Sequence, residues 1–201
     1  MSGQKTCEDF QVTKSKKRLL TLPNFLTVLR VVIIPIIAYS FHLDVRRRAI
    51  ISSTLFFVAC VTDFFDGYLA RKLHQESDFG RVFDPIADKI LVVIIFIMLV
   101  SVGELQGINT VGTLIIVTRE FLVSGLREYL SEIQVGMPVT VLAKWKTTIQ
   151  MVAIFTLISY PLLPNPNLFK QIGICLLWTS VVLTIITGSQ YFVKGIKFMV
   201  E

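Results

Sequence analysis

A chain of 201 residues that is 53% hydrophobic and 17% charged carries more apolar surface than one water-soluble core of that size can bury. Its formal net charge is +6, and Lys14, Lys16, Lys17 and Arg18 cluster just before the first apolar run, where an anionic bilayer face attracts them. No nucleic-acid partner is expected. Cys7, Cys60 and Cys175 are too scattered for a disulfide framework or a zinc site and read as small buried hydrophobes.

Residues 1–22 form a basic juxtamembrane segment expected on the cytoplasmic side, and 23–201 form the membrane domain. A helix crossing hydrocarbon needs about 20 mostly apolar residues. Six such stretches lie at 24–43, 49–71, 84–102, 108–131, 139–163 and 168–193, predicting an all-α, polytopic membrane bundle of about six transmembrane helices. No small-x-small cleavage pattern follows the first run, so it is expected to remain a membrane helix. Basic residues support a cytoplasmic N-terminus. Lys5, Lys14, Lys16, Lys17, Arg18, Lys72, Arg81, Lys194 and Lys197 fall inside, against Arg46, Arg47, Arg48 and Lys170 outside. The triplet Arg46–Arg48 runs against that bias.

Pro23-Asn24 opens the first span, and Pro35 within it predicts a kink. Asn24, Thr27 and Arg30 lie along this span, where they either touch a ligand or join helices by hydrogen bonds. The second and third spans hold four aspartates at adjoining ends. Asp63 and Asp66 are three apart, and Asp84 and Asp88 four apart, so each pair shares a helix face. A loop from Lys72 to Phe83 returns the chain antiparallel and lets the faces meet. Carboxylates inside hydrocarbon are costly and mark function. Four converging on one point repel unless cations sit between them, and hard oxygen ligands suit Mg²⁺ or Mn²⁺, two ions for four acids. Gly67 and Ala70 leave space beside Asp63 and Asp66, Arg71 offers a fork for phosphate oxygens, and Gly80 permits a tight turn. Taken alone, Asp84-Pro85 reads equally as a helix cap with a first-turn proline, but capping does not need four acids.

On the fourth span Arg119 and Arg127 are eight apart and can both face the interior. The link Glu132–Pro138, with Gly136, is expected on the cytoplasmic side. Lys144 and Lys146 begin the fifth span. Unpaired cations there are costly and call for an anionic partner. Pairing of Arg119 with Glu120 or Glu128, and snorkelling of the lysines, are the competing readings. His42 and His74 read as interfacial, Trp145 and Trp178 as membrane packing, and the last span carries no recognised motif.

The string Asp63-x-x-Asp66-Gly67-x-x-Ala70-Arg71, then eight residues to Gly80, three to Asp84 and three to Asp88, resembles the signature of the CDP-alcohol phosphotransferase family at every specified position. The resemblance implies that Asp63, Asp66 and Asp84 are metal ligands, with Asp88 near the metals as base. It implies that Gly67, Ala70 and Arg71 form part of the pocket for the CDP-linked donor, and Asp66, Gly80, Asn24, Thr27 and Arg30 are expected to bind the donor with them. The strings from Pro23 to Arg30, Thr118 to Glu128 and Lys144 to Gln150 are similar to those of bacterial members that use CDP-diacylglycerol and glycerol 3-phosphate. Thr118 departs from that pattern, which has glycine there. Arg119, Arg127, Lys144 and Lys146 are then expected to bind the acceptor phosphate. Location in the bacterial inner membrane, with the site facing the cytoplasm, follows from the same resemblance. Inositol phosphate, serine and phosphatidylglycerol are the rival acceptors. An ion-coupled transporter is the rival class, expected to spread its acids through the membrane and to show inverted repeats. Oligomeric state stays open, a homodimer being among the options.

Overall fold

The computed structural model describes the backbone of residues 22–73, 78–132 and 140–200, and side chains chiefly over 26–63, 83–130 and 140–193. Among the described residues the elements are α1 (Leu22–Ser40), α2 (Val45–Leu73), α3 (Asp78–Ser101), α4 (Ile108–Glu132), α5 (Val141–Ser159), a 3-10 turn (Tyr160–Leu162) and α6 (Pro166–Val200), with no strand. The juxtamembrane cluster Lys14–Arg18, His74 and the Gly136 link lie outside them.

Local chemistry sets the ends of these helices. Thr140 caps α5, its hydroxyl accepting from the Ala143 backbone N–H. Pro161 lacks a backbone donor, and the chain tightens there into the 3-10 turn before restarting at Pro166. The link from α3 to α4 turns on Gly103 (φ 77°) and Gly107 (φ 58°), left-handed positions that glycine occupies without strain. Pro35 sits inside an unbroken α1.

Two boundaries differ most from the sequence expectation. α3 begins at Asp78, so Gly80 lies in its first turn and Asp84-Pro85 lies inside the helix instead of at its start. The reason is that hydropathy marks only the apolar stretch, whereas the backbone keeps its hydrogen bonds into the polar ends. Capping by Asp84 is thereby excluded. α6 runs to Val200 over 35 residues, about 50 Å at 1.5 Å per residue, longer than the ~30 Å hydrocarbon layer.

α1 packs on α2 and α3, α5 on α6 and α2, and α4 on α6. Ile37, Phe56, Ile95, Phe96, Leu99, Ile154, Leu157 and Leu177 form the buried middle. α4 and α6 run parallel, with the pairs Gly112–Val181, Arg119–Gly188 and Leu126–Gly195 stepping together by seven residues. A Cβ on Gly195 would come within 2.8 Å of Leu126, and one on Gly173 within 2.9 Å of Leu157. These small residues let α6 approach α4 and α5 closely, the usual device where lipid removes the hydrophobic drive for helix association.

The outer surface is apolar. Phe57, Ile97 and Leu114 are each 58% exposed, and Cys175, expected inside, is exposed among them. Such a surface is unfavourable in water and suited to hydrocarbon, so the apolar helices are those of a membrane protein. Among the described residues, Val141–Leu162 and Pro166–Val193 are long and apolar enough to cross a bilayer by that criterion alone. The charges of α2, α3 and α4 dilute their runs.

At the end of the bundle where α2 and α6 begin, Glu104 gathers three partners. Its oxygens accept from Arg48 Nη2 at 2.8 Å, Tyr160 Oη at 2.7 Å and Lys170 Nζ at 2.7 Å. Two of the four cations counted outside, Arg48 of the Arg46–Arg48 triplet and Lys170, thus pair with one carboxylate, and Arg48 is buried. Burial raises the Glu104 carboxyl, but the hydrogen bonds from Lys170 and Tyr160 outweigh it and hold the group below its ordinary 4.5. Because the folded value is depressed, the stabilisation is complete above 4.5 and is lost as pH falls through the folded value. Glu104→Gln strands Arg48, and it is expected to cost about 2–4 kcal/mol. Thermal unfolding in detergent checks this, with the gap between native and variant closing at acid pH.

A candidate acidic and basic site at one end of the bundle

The opposite end collects the starts of α1, α3 and α5 and the ends of α2, α4 and α6. α1 brings Thr27 and Arg30 there, both almost fully buried. Arg30 Nη1 lies 2.8 Å from Asp63 Oδ1, and Thr27 donates a short hydrogen bond to Asp84 Oδ1. The hydrogen-bonding alternative for these two residues is therefore realised, and it is directed at the acids. Asp63 remains 45% exposed, so oxygens on it stay available. Asp63 interacts electrostatically with Asp84, and Asp88 with Asp63, Arg30, Lys89 and Lys146. Three of the four aspartates are therefore neighbours at the facing parts of α2 and α3.

Asp66, Gly67, Ala70 and Arg71 on α2, Gly80 on α3 and Asn24 on α1 have helical backbones, but their side chains lie outside the described residues. Among the described side chains, no group of three or more acidic, histidine or cysteine ligands closes on a point. The donor set nevertheless suits a hard divalent cation. It offers oxygens alone, and Arg30 and Thr27 hold two of the carboxylates in fixed orientation from behind.

Facing Asp88 across the bundle is a cluster of opposite sign. Lys146, 2% exposed, forms an ion pair with Glu120 Oε1, and Arg119 Nη1 lies 3.6 Å from that oxygen. Arg119 Nη2 also donates to Thr187 Oγ1 on α6 at 2.9 Å, and its guanidinium lies 5.9 Å from the Tyr191 ring centre. Gly188 makes room for it, since a Cβ there would come within 3.1 Å of Arg119 Cγ. Lys89 donates to Ser124 across α3 and α4. Between α3, α4 and α5 lies a cavity of about 80 Å³ lined by Asp88, Lys89, Glu120, Lys146, Thr147 and Gln150, with Val92 and Met151 below. Its lining carries two cations, Lys89 and Lys146, and two acids, Asp88 and Glu120, with Arg119 adjacent to Glu120.

The four expected acceptor cations do not share one position. Lys146 lines the cavity. Arg119 lies behind Glu120 and borders an apolar cleft between α4 and α6. Its pairing with Glu120, the competing reading, is present in the structure. Arg127 and Lys144 are exposed. Arg127 sits just over two turns beyond Arg119 and rotates off the buried face, while Lys144, two residues from Lys146, points nearly opposite to it on the helix. Lys89 and Gln150, to which the sequence assigns no role, line the cavity. The available signal was polar spacing, since Lys146 and Gln150 are four apart on one helix and so share a face.

Residues 20–186 match the family model for CDP-alcohol phosphatidyltransferase. The chain is 43% identical over 171 residues to the CDP-diacylglycerol–glycerol-3-phosphate 3-phosphatidyltransferase of Rickettsia bellii, covering 85% of this chain and 93% of the relative. It is 38% identical over 175 residues to the protein of the same name from Wigglesworthia glossinidia brevipalpis, covering 86% and 93%. It is also 38% identical over 172 residues to that from Haemophilus influenzae, covering 85% and 90%.

Proposed function

The chain belongs to the CDP-alcohol phosphatidyltransferase family, and from that premise we propose that it transfers the phosphatidyl group of CDP-diacylglycerol to glycerol 3-phosphate, releasing CMP. The observation that carries the acceptor side is the cavity in which Asp88 faces Lys146. A proton acceptor and a buried cation share one small space there, as a phosphorylated alcohol requires.

Asp63 and Asp84, held by Arg30 and Thr27, with Asp66 and Asp88 beside them, would bind two Mg²⁺ or Mn²⁺ ions, whose charge would neutralise the donor diphosphate. Gly67, Ala70, Arg71 and Gly80, with Asn24, would border the cytidine side of the donor. Lys146, with Arg119 behind it, would hold the phosphate of the acceptor. Asp88 takes the proton from the acceptor hydroxyl as its oxygen bonds to the phosphorus bearing diacylglycerol. The bond from that phosphorus to the CMP oxygen breaks, giving phosphatidylglycerophosphate and CMP.

In this reading all six helices cross the bilayer and the reactive end faces the cytoplasm, leaving the acyl chains of the donor in lipid. The apolar outer surface supports the first part and the basic residues before α1 the second. The test follows CMP release by purified protein given CDP-diacylglycerol and a panel of acceptors. Glycerol 3-phosphate is expected to outperform glycerol, serine, inositol phosphate and phosphatidylglycerol. EDTA is expected to abolish release, and Mg²⁺ or Mn²⁺ to restore it. Undiminished activity in metal-free buffer removes the metal ions from the mechanism. Equal use of plain glycerol removes the acceptor assignment.

A further inference from the structure

Within the acceptor cavity most polar groups are already engaged. Lys146 is paired with Glu120, Lys89 donates to Ser124, and the Thr147 hydroxyl donates to the Ala143 carbonyl oxygen at 3.1 Å. Gln150 differs. It is 3% exposed, lines the cavity beside Asp88, and its side-chain carbonyl oxygen is buried with no partner among the described residues. A buried amide oxygen left unpaired is unfavourable unless a ligand completes it. At about 80 Å³ the cavity has room for small polar groups and none for an acyl chain. Gln150 stands one helical turn from Lys146 on the same face of α5, a rise of about 6 Å. A phosphate at Lys146 therefore places the neighbouring carbons of its ester near Gln150.

We infer that Gln150 determines acceptor specificity by taking a hydrogen bond from the secondary hydroxyl of glycerol 3-phosphate, which turns the primary hydroxyl toward Asp88. This rests on the acceptor assignment above and adds to it a residue and a recognised group. The hydroxyl proton of the secondary alcohol stays in place, so Gln150 takes no part in bond making. It sets which oxygen is presented.

The experiment compares glycerol 3-phosphate with 3-hydroxypropyl phosphate, which keeps the phosphate and the primary hydroxyl and lacks the secondary one. Native protein is expected to prefer glycerol 3-phosphate by roughly 10- to 100-fold in kcat/KM, the range for leaving one buried polar group unpaired. Gln150→Met preserves volume without a hydrogen-bonding group and is expected to bring that ratio to within a few-fold of one. Gln150→Glu keeps an acceptor oxygen, so both rates fall through repulsion of the phosphate while the ratio persists. Gln150→Asn withdraws the amide by one methylene and is expected to give an intermediate ratio. Binding of CDP-diacylglycerol by each variant reports a folded donor site. A ratio unchanged in Gln150→Met and Gln150→Asn, with donor binding intact, overturns the assignment and leaves Gln150 a packing residue. A native protein that shows no preference between the two esters overturns it as well. A native protein that uses neither ester shows instead that the acceptor assignment itself has failed.

Discussion

Asp88→Asn is expected to slow CMP release by roughly 10²- to 10⁴-fold, the usual contribution of a general base, while CDP-diacylglycerol still binds. The substitution keeps the size and shape of the side chain but removes its negative charge, and with it the ability to accept a proton. Asp88 interacts with Asp63 of the acidic group and also lines the acceptor cavity together with Lys146 and Gln150. Asp63 and Asp84 are held by Arg30 and Thr27, and no such restraint is needed for a group that must take up and release a proton. Single-turnover measurements separate chemistry from binding, and a titration of donor against the variant supplies the affinity. Loss of donor affinity on the same scale as the loss of rate would make Asp88 chiefly a metal ligand. The base would then have to be sought elsewhere in the cavity.

Arg119→Ala is expected to raise the KM for glycerol 3-phosphate by roughly 10- to 100-fold, within the range for residues coupled in one ion-pair network, and to leave that for CDP-diacylglycerol nearly unchanged. The structure gives this expectation a particular route. Arg119 is anchored to α6 through Thr187 and Tyr191 and reaches Glu120, which in turn holds Lys146 at the cavity. With Arg119 gone, Glu120 has only Lys146 to neutralise, and the positive field available to the acceptor phosphate weakens. Arg119→Lys restores the charge but not the planar fork that contacts Thr187 and Glu120 together, so partial recovery is expected. Kinetics with each substrate varied separately decide the matter. If the effect falls on the donor alone, Arg119 belongs to the lipid side of the protein, where it borders the apolar cleft between α4 and α6.

The helices and the acidic residues were legible in the sequence because both depend on short-range periodicity. Runs of apolar residues mark α1 to α6 within a few residues, since backbone hydrogen bonding in a helix is local. The spacing of Asp63 with Asp66 and of Asp84 with Asp88 places each pair on one face without reference to the rest of the chain. The signature formed by these residues with Gly67, Ala70, Arg71 and Gly80 pointed to the family that the comparisons then established. Tertiary structure alone decided which charges meet. Thr27 and Asp84 are 57 positions apart, Arg48 and Glu104 are 56, and Arg119 and Thr187 are 68. No local pattern encodes such pairings, because they depend on which helices adjoin and on how each is rotated about its axis. That rotation buries Lys146 and exposes Lys144 two residues away. It also sets Gln150 beside Asp88 in one cavity and moves Arg119 behind Glu120. The small residues of α6 carried no recognisable motif, and their purpose emerges only where Gly173, Gly188 and Gly195 meet Leu157, Arg119 and Leu126 at distances that a Cβ would close.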